Sequence, residues 1–423
     1  MKQPRETFDV AVIGGGSAGL AAAVTAAREG ARTLLVERHG YLGGMGTASL
    51  VHTFCGLYLL RDETGAVLAN AGFPQEMAER MIAATGLGPV RMGRVDVLPQ
   101  HPVEFVRIAD ELVASEPLIE LRLHTEVTAV SREQDWQIRL GDRAGERLVN
   151  AECLVDASGD AVVAMRLGGG SAMAEAPRLQ RPAYVFGVHQ VVPAGDAWRL
   201  HTAGLIVEGI RAGAFSGSAM GISFRASGRP GEIFGTLDLT GGEALTEYDP
   251  LDAICLTELE VHGRAIAGKV IAWLARRSEL WAGAYISHWP VRAGVRESRR
   301  WIGEYVLTGD DLLAGKRFTD EIALAAWPME FRENTRGPKL RFPEGNRPTG
   351  IPLRCLKPEG IDRLFVAGRC ISTDHEAQAS IRVMGTCFAT GEAAGRAAAL
   401  ANRHACPAEI AAECGIVSRS YGE

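Results

Sequence analysis

Two short apolar runs flank an alanine-rich segment near the start of the chain. The runs are FDVAVI, from Phe8 to Ile13, and RTLLVE, from Arg32 to Glu37, and each has the length of a buried β-strand. Ser17 to Glu29, between them, is rich in alanine, the residue that most favours helix. Strand, helix and strand in this order predict a parallel pair joined by a right-handed crossover.

Similar signals return further along the chain. Residues 103–116 have the spacing of an amphipathic helix, and residues 118–160 alternate apolar and polar positions through several short runs. The alternation predicts a β-meander that ends in a buried strand, Cys153 to Asp156. Near the C-terminus, IDRLFVAGRC predicts another buried strand, and the Ala/Gly-rich stretch from Met384 predicts a helix.

Residues 173–345 have a different pattern of predicted strands and helices. Strand-like pieces, Ala183–Val192 and Glu232–Leu239, precede a long helical pattern from Pro250 to Arg277. We therefore predict an α/β fold: a Rossmann-like nucleotide-binding domain of parallel sheet, helices and β-meander, with an inserted mixed α+β substrate domain. The predicted parts are a discontinuous nucleotide domain (1–62, 98–172 and 346–405), a substrate or cap domain (173–345), a helical excursion (63–97) and a C-terminal tail (406–423).

Composition narrows the class of protein. A chain of 423 residues favours two domains, and its net charge of -6 gives no reason to expect nucleic acid or an anionic membrane as a partner. The N-terminal sequence has no apolar signal core, and no apolar stretch reaches the ~18 residues of a spanning helix, so we expect a cytoplasmic protein. Its eight cysteines form no C-x-x-C pair, so we expect no metal site. A homo-oligomer is compatible with the sequence.

A glycine motif joins the first strand to the first helix. In Gly14-x-Gly16-x-x-Gly19, the first glycine permits a tight turn, the second lets a pyrophosphate approach the backbone, and the third lets helix and strand pack closely. Glu37 ends the next strand, where a carboxylate can accept both hydroxyl groups of an adenosine ribose. The motif predicts a bound dinucleotide, FAD or NAD; the structural alternative is a tight turn without a ligand.

Three later segments carry a family resemblance. They are LVDASGD at 154–160, GVRESRRWIGEYVLT at 294–308, and LFVAGRCISTDHEAQASIRVMGTCFATGEAAGRAAALA at 364–401. With the glycine motif, they resemble the FAD-dependent oxidoreductases of the two-dinucleotide-binding-domain, glutathione-reductase-like superfamily. Within it, the sequence is similar to a bacterial group with the AGRCIS…HEA…SIRVM ending. The resemblance covers nearly the whole chain and implies non-covalent FAD as the cofactor.

The resemblance also implies which residues contact FAD. Glycine-motif residues would line the pyrophosphate, Glu37 would hold the ribose, and the start of the last helix would direct N–H groups at the flavin. The complete set is Gly14, Gly16, Ser17, Ala18, Gly19, Glu37, Arg38, Gly43, Gly44, Thr47, Val127, Ala157, Gly159, Gly368, Arg369, Gly385, Thr386 and Cys387.

Three side chains are candidates for catalysis, each with a structural alternative. His375 lies near the expected flavin ring and would be a base or donor, or would anchor its loop. Arg382 would stabilise reduced flavin or a substrate carboxylate, or would pair with a nearby acid. His52 would reach the flavin face, or would pack. The sequence has Arg332 where relatives often carry a histidine, which puts a catalytic role for that position in doubt.

A cluster of arginines lies between the strand-like pieces and the C-terminal part. Arg292, Arg296, Arg299 and Arg300 indicate an anion site, but Glu297 and Glu304 lie among them, so internal ion pairs are the alternative. We therefore include anionic compounds among the expected small-molecule substrates.

The sequence leaves three functions open. The first is an oxidoreductase that moves a hydride between a small organic substrate and FAD, with an external electron acceptor or oxygen, because only one dinucleotide fingerprint is present. The second is an FAD-dependent monooxygenase that uses NAD(P)H and oxygen. The third is a non-catalytic flavin-binding protein with an assembly or regulatory role.

Overall fold

A computed structural model describes residues 6–63, 65–193, 195, 197–239, 248–332, 337–401, 409 and 412. Within these ranges, no helix is long and apolar enough to cross a membrane. The helices are α1 (Ser17–Arg28), α2 (Phe73–Thr85), α3 (Pro102–Ala114), α4 (Val162–Leu167), α5 (Ala197–Arg211), α6 (Ala253–Arg277), α7 (Gly309–Ala314), α8 (His375–Ile381) and α9 (Met384–Ala401). The strands are β1 (Glu6–Ile13), β2 (Thr33–Val36), β3 (Thr53–Phe54), β4 (Val90–Met92), β5 (Val95–Pro99), β6 (Ile119–Arg122), β7 (Glu126–Arg132), β8 (Trp136–Asp142), β9 (Gly145–Asp156), β10 (Ser171–Ala172), β11 (Ala183–His189), β12 (Ile222–Ala226), β13 (Glu232–Asp238), β14 (Tyr285–His288), β15 (Arg300–Trp301), β16 (Glu321–Ala325), β17 (Met329–Phe331), β18 (Lys339–Arg341), β19 (Thr349–Pro352) and β20 (Leu364–Val366).

The large sheet has the order β6-β2-β1-β9-β8-β7, and β20 also pairs with β9. Strands β6, β2, β1, β9 and β20 are parallel, whereas β7, β8 and β9 form the antiparallel meander. Strand β9 belongs to both the parallel and the antiparallel part of the sheet. Its first half pairs with β8 up to Ala151, and its last residues, Leu154 to Asp156, pair with β20. The fold is therefore the predicted α/β type, with a parallel Rossmann-like sheet.

Helix α1 packs between β1 and the last long helix, α9. Residues 17–27 of α1 are all buried, so the helix is apolar on every side. The two helices approach closely because α9 has glycine where it crosses α1. A Cβ added to Gly391 or Gly395 would overlap the carbonyl oxygens of Ala18 and Ala22. This contact holds the C-terminal helix against α1.

The smaller sheet has the order β12-β13-β11-β14 and lies within the predicted substrate segment. One face carries Tyr184, Phe186 and Leu237, which pack in a core with α5 and α6. Alternate residues on the other face, Val185 and Phe234 among them, form a separate cluster that contacts Leu50 of the first segment. The second face of the smaller sheet thus packs on the first segment of the chain.

Some predicted elements differ from the structure. The excursion at 63–97, predicted to be helical, contains helix α2 but also β4 and most of β5, which form an antiparallel hairpin. Its strands were missed because VRMGRVDVLP is short and polar on one face. The long helix, predicted from Pro250, begins at Ala253 because the side chain of Asp252 caps it. The predicted tail, 406–423, lies outside the described residues apart from 409 and 412.

Candidate active site

The glycine motif forms one wall of a cavity of about 310 Å³ at the carboxyl ends of β1 and β2. Gly14 has φ +99°, and a Cβ there would lie 2.7 Å from the carbonyl oxygen of Ala157. A Cβ on Gly19 would overlap the carbonyl oxygen of Gly14. Both positions therefore need glycine for the turn itself, independently of any ligand.

Gly16 differs from Gly14 and Gly19, the other glycines of the motif, in the space around its Cα. A Cβ there would meet nothing closer than 3.8 Å, and the residue lines the cavity, so its small size leaves room for a ligand. No side chain caps the N-terminus of α1, and Ser17 and Ala18 of its first turn also line the cavity. The positive end of the helix dipole and its unpaired N–H groups suit a phosphate group.

Glu37 is fixed at the far side of the motif. The side chain is buried, Oε2 accepts a hydrogen bond from the Gly15 N–H at 2.8 Å, and Oε1 accepts one from the His39 N–H at 2.9 Å. These bonds orient the carboxylate, which lines the cavity and has further acceptor capacity for ribose hydroxyl groups.

Five arginines also line this cavity, and three of them are Arg38, Arg292 and Arg369. Arg369 is paired: its Nη2 lies 2.5 Å from Oδ1 of Asp160, and its Nη1 donates to the carbonyl of Val295. The buried Nε of Arg292 has no hydrogen-bond partner among the described residues. Burial and the nearby Arg38 lower the pKa of Arg292 to about 10. An unsatisfied cation of this kind fits the pyrophosphate of a dinucleotide.

Most of the predicted FAD-contacting residues line this cavity. They are Gly14, Gly16, Ser17, Ala18, Glu37, Arg38, Gly44, Val127, Ala157, Gly159, Gly368, Arg369 and Cys387. The residues that do not line it are Gly19, Gly43, Thr47, Gly385 and Thr386. Gly43 forms a bridge with Gly16, and the Thr47 hydroxyl donates to the carbonyl of Leu42 at 2.8 Å, so both support the turn from behind.

The predicted role of the N–H groups at the start of α9 needs correction. The Gly385 N–H donates to the carbonyl of Cys55 at 2.9 Å, and the Cys387 N–H donates to the carbonyl of Val383 at 2.9 Å. These donors already have protein partners because the chain turns directly from α8 into α9. Neither N–H is available to a flavin, although the Cys387 residue lines the cavity.

A second cavity, of about 290 Å³, adjoins the first. Met45, Arg369, Arg382 and Met384 line both cavities. The second cavity lies between the face of the smaller sheet that carries Val185 and the hairpin of β4 and β5, and it has apolar walls from Val95, Val97, Trp327 and Leu340. A ligand in the second cavity would therefore meet one in the first.

An ion-pair network borders the second cavity. Asp238 pairs with Arg296 at 2.7 Å through Oδ1 and with Arg332 at 2.7 Å through Oδ2. Arg332, the position where a histidine is frequent, also pairs with Glu330 at 2.7 Å. Burial opposes ionisation of Glu330, but Arg332 and Arg382 outweigh it and lower its pKa to about 2. The Glu330 carboxylate is therefore ionised and balances part of the positive charge of Arg332 and Arg382.

Among the three candidates for catalysis, Arg382 and His52 reach a cavity. Arg382 ends α8 and lines both cavities, and its Nη2 donates to the carbonyl of Glu330 at 3.3 Å. Its Nε is buried without a partner among the described residues, and burial lowers the pKa of Arg382 to about 10. His52 lines the second cavity, and burial with the nearby Arg225 lowers its pKa to about 3.

His375 is placed elsewhere and corrects the expectation of a flavin-facing base. It is the first residue of α8, is buried, and is not among the residues that line either cavity. Its Nδ1 lies 2.9 Å from Oε1 of Glu297, which also pairs with Arg300 at 2.8 Å. His375 therefore anchors the segment before the last helix, which was its structural alternative.

The arginine cluster of the sequence separates into two groups. Arg296 and Arg300 have carboxylate partners, and Arg299 donates to the carbonyl of Asp160 at 3.1 Å. Arg292 has no such partner in the described chain and lines the first cavity. The sequence singled out the cluster but missed three residues of the site. Asp160 ends the LVDASGD segment but was given no role, and Arg225 and Glu330 lie in segments without a motif.

The two cysteines nearest the cavities are unreactive thiols. Burial raises the pKa of Cys55 and of Cys387 to about 12, so both thiols stay protonated near neutral pH. Within the described ranges, no group of three or more His, Cys, Asp or Glu side chains could hold a metal ion.

Comparisons with solved structures agree with the fold. The p-nitrophenol 4-monooxygenase PnpA from Pseudomonas putida DLL-E4 has a TM-score of 0.50 at 10% identity, over 97% of this chain and 84% of that one. The anhydrotetracycline hydroxylase OxyS from Streptomyces rimosus has a TM-score of 0.50 at 13% identity, over 96% of this chain and 65% of that one. At such identities the likeness is one of fold. A search of curated protein sequences gave no match.

The sequence model of one family covers almost the whole chain. It is described as FAD dependent oxidoreductase and matches residues 9–416. The first cavity has the features that FAD needs: a free helix N-terminus, an oriented carboxylate and an unpaired arginine. The chain therefore belongs to the family of FAD-dependent oxidoreductases, and FAD is the cofactor of this enzyme.

Proposed function

We propose that this enzyme is a dehydrogenase or oxidase that moves a hydride between a small organic substrate and FAD. FAD would lie non-covalently in the first cavity and the substrate in the second. Bound FAD supplies the hydride acceptor or donor, and the protein supplies position and electrostatics.

The observation that carries this proposal is the wall shared by the two cavities. Met45 and Met384 line both, and so do Arg369 and Arg382. Hydride transfer needs the reacting atoms in contact, and this junction is where two ligands could meet. The apolar side chains of the second cavity would exclude water from the junction.

Arg382 has a specific part in the proposal. It is a cation at the junction with no carboxylate within ion-pair distance among the described residues. A fixed positive charge there stabilises negative charge that develops on a reduced flavin or on a bound substrate. His52 would accept a hydrogen bond from the substrate, because its Nε2 is buried without a partner in the described chain.

A monooxygenase that uses NAD(P)H and oxygen is the second candidate. It is favoured by the fold that this chain shares with PnpA, a monooxygenase, and OxyS, a hydroxylase. A non-catalytic role is not retained, because the family is one of oxidoreductases.

Several finer assignments stay predictions from the sequence. They are the glutathione-reductase-like grouping and its bacterial subgroup, the domain boundaries, cytoplasmic localisation, the external electron acceptor and a homo-oligomeric state. None of them enters the argument about the two cavities.

An anaerobic screen tests the proposal. The FAD-loaded protein is mixed with single metabolites, without NAD(P)H, and the flavin absorbance is followed. Bleaching by a metabolite alone supports hydride transfer from that substrate. Reduction that needs NAD(P)H and is accelerated by a ligand overturns the proposal in favour of the monooxygenase.

A further inference from the structure

Arg225 reaches the second cavity from the smaller sheet. It lies on β12 directly opposite Phe234 of β13, and Ser223 lies opposite Thr236 two residues away. Side chains of directly opposed residues share one face of an antiparallel pair. Ser223, Arg225 and Thr236 all line the second cavity, so this face of the sheet forms its roof.

The charges around the cavity do not balance. Five guanidinium groups line it, and that of Arg369 is paired with Asp160, which does not line this cavity. The other four are those of Arg225, Arg296, Arg332 and Arg382. They face two carboxylates, Glu330 in the lining and Asp238 behind it, which leaves two positive charges uncompensated.

The two carboxylates are already committed to two of the arginines. Asp238 pairs with Arg296 and Arg332, and Glu330 pairs with Arg332. The other carboxylate oxygen of Glu330, Oε2, accepts a hydrogen bond from Nε1 of Trp327 at 3.1 Å. Arg225 forms no ion pair within 4.0 Å with any described residue, and burial lowers its pKa. The unpaired cations of the cavity are thus Arg225 and Arg382.

His52 supplies an acceptor beside Arg225. Its ring stacks on Phe234, the cross-strand partner of Arg225, with ring centroids 4.9 Å apart. Its Nδ1 lies 3.3 Å from the carbonyl of Leu50, which can only accept, so Nδ1 carries the proton. Nε2 then bears a lone pair, is buried, and has no partner in the described chain, and the side chain lines the cavity.

We propose that the second cavity recognises a small carboxylic acid that also carries a hydroxyl or amino group. Arg225, with Arg382, binds the carboxylate, and Nε2 of His52 accepts the hydrogen bond of the hydroxyl or amino group. The apolar walls contact the carbon skeleton. This inference rests on the proposed function, because it takes the second cavity as the substrate site.

Three matched probes test the recognition. Mandelate has a carboxylate and a hydroxyl group, phenylacetate lacks the hydroxyl, and mandelamide lacks the charge. Each is titrated into the FAD-loaded protein while the flavin absorbance reports occupancy of the adjoining cavity. We expect saturable binding with mandelate tightest, phenylacetate weaker, and mandelamide at least about tenfold weaker, since hydrogen bonds to charged groups are the strongest.

Variants assign the effect to the two side chains. Arg225→Met should weaken mandelate and phenylacetate binding by about tenfold or more, and Arg225→Lys by less, because the charge remains. His52→Leu should remove the preference for mandelate over phenylacetate and leave phenylacetate binding intact. Arg276→Met, on the exposed end of α6, is the control that should change nothing. The flavin spectrum of each variant verifies that it is folded and loaded.

Three results would overturn the inference. The first is mandelamide binding as tightly as mandelate, and the second is carboxylate binding that is unchanged in Arg225→Met. The third is no spectral response to mandelate, phenylacetate or lactate at their solubility limits. Failure of this inference is distinguishable from failure of the proposed function. A neutral metabolite that bleaches the flavin anaerobically would uphold hydride transfer and refute carboxylate recognition. Carboxylate binding in a protein whose flavin is reduced only by NAD(P)H would uphold carboxylate recognition and refute hydride transfer from the substrate.

Discussion

At the scale of single residues, the site is organised by which arginines have carboxylate partners. Asp238 and Glu297 fix Arg296 and Arg300 as structural cations. Arg292, from the same short segment, is left for the first cavity. Charge clustering in the sequence indicated an anion site, but the partner of each arginine depends on the tertiary fold, so the sequence could not say which one was free.

Arg292→Met should have opposite effects on the apo and FAD-loaded protein. Removing a half-buried cation whose buried Nε has no partner in the described chain should leave the thermal midpoint of the apo protein unchanged or higher. FAD binding should weaken by about tenfold or more, through loss of a charged contact to the pyrophosphate. Equilibrium dialysis measures the affinity, and thermal denaturation with and without FAD measures both midpoints.

The control for this variant is Arg276→Met, which removes an exposed arginine of the same length. FAD affinity that is the same in Arg292→Met as in the unmodified protein would show that Arg292 does not contact the cofactor. A strongly lowered apo midpoint would show that it is a structural residue.

At the scale of elements, two glycines of α9 set the distance to α1. A Cβ at Gly391 would overlap backbone of α1, whereas a Cβ at Gly268, within α6, would meet no atom within 4 Å. Gly391→Ala should therefore destabilise the protein by about 1–3 kcal/mol, as overpacking does. Gly268→Ala should be neutral or stabilising by up to about 1 kcal/mol, since alanine favours helix.

Chemical denaturation of both variants measures this difference. Equal stability of Gly391→Ala and Gly268→Ala would contradict the close packing of α1 and α9. Because α1 presents its N-terminus to the first cavity, we also expect Gly391→Ala to weaken FAD binding.

The break between α8 and α9 places Arg382 at the junction of the cavities. The N–H groups of Gly385 and Cys387 are already bonded, and Arg382 is the charged residue that this break presents to both cavities. Arg382→Gln should lower the flavin midpoint potential, because the reduced anion loses more stabilisation than the neutral oxidised ring. A loss of about 1.4 kcal/mol corresponds to about 30 mV for a two-electron couple.

Anaerobic dye titration of the FAD-loaded protein measures this potential. Arg341→Gln is the control, because Arg341 pairs with Glu376 and lines neither of the two cavities. A potential that is unchanged or higher in Arg382→Gln would show that Arg382 serves the substrate or the structure and not the flavin.

The elements that the sequence predicted well are those with local signals. The apolar run of β1, the alanines of α1 and the glycine motif between them give both the structure and the first cavity. The second cavity had no such signal. Arg225 reaches it only through the register of β12 with β13, and His375 was misjudged because its partner, Glu297, is 78 residues away.

At the scale of the whole molecule, the smaller sheet brings a second cavity against the first. The large sheet and α1 provide the glycine turn and Glu37, while the smaller sheet provides Ser223 and Arg225. Residues of both lie around the shared wall at Met45 and Arg382. The enzyme thus has two adjoining cavities, and we propose that the first holds FAD and the second a substrate.

The most direct test of this account is a single anaerobic turnover with product analysis. The FAD-loaded protein is mixed with a metabolite that bleaches its flavin, without NAD(P)H or oxygen, and the product is identified by mass spectrometry. The account predicts one product molecule for each flavin bleached, lighter than the substrate by two hydrogen atoms. A product that forms only with NAD(P)H and oxygen, and that has gained an oxygen atom, would contradict it.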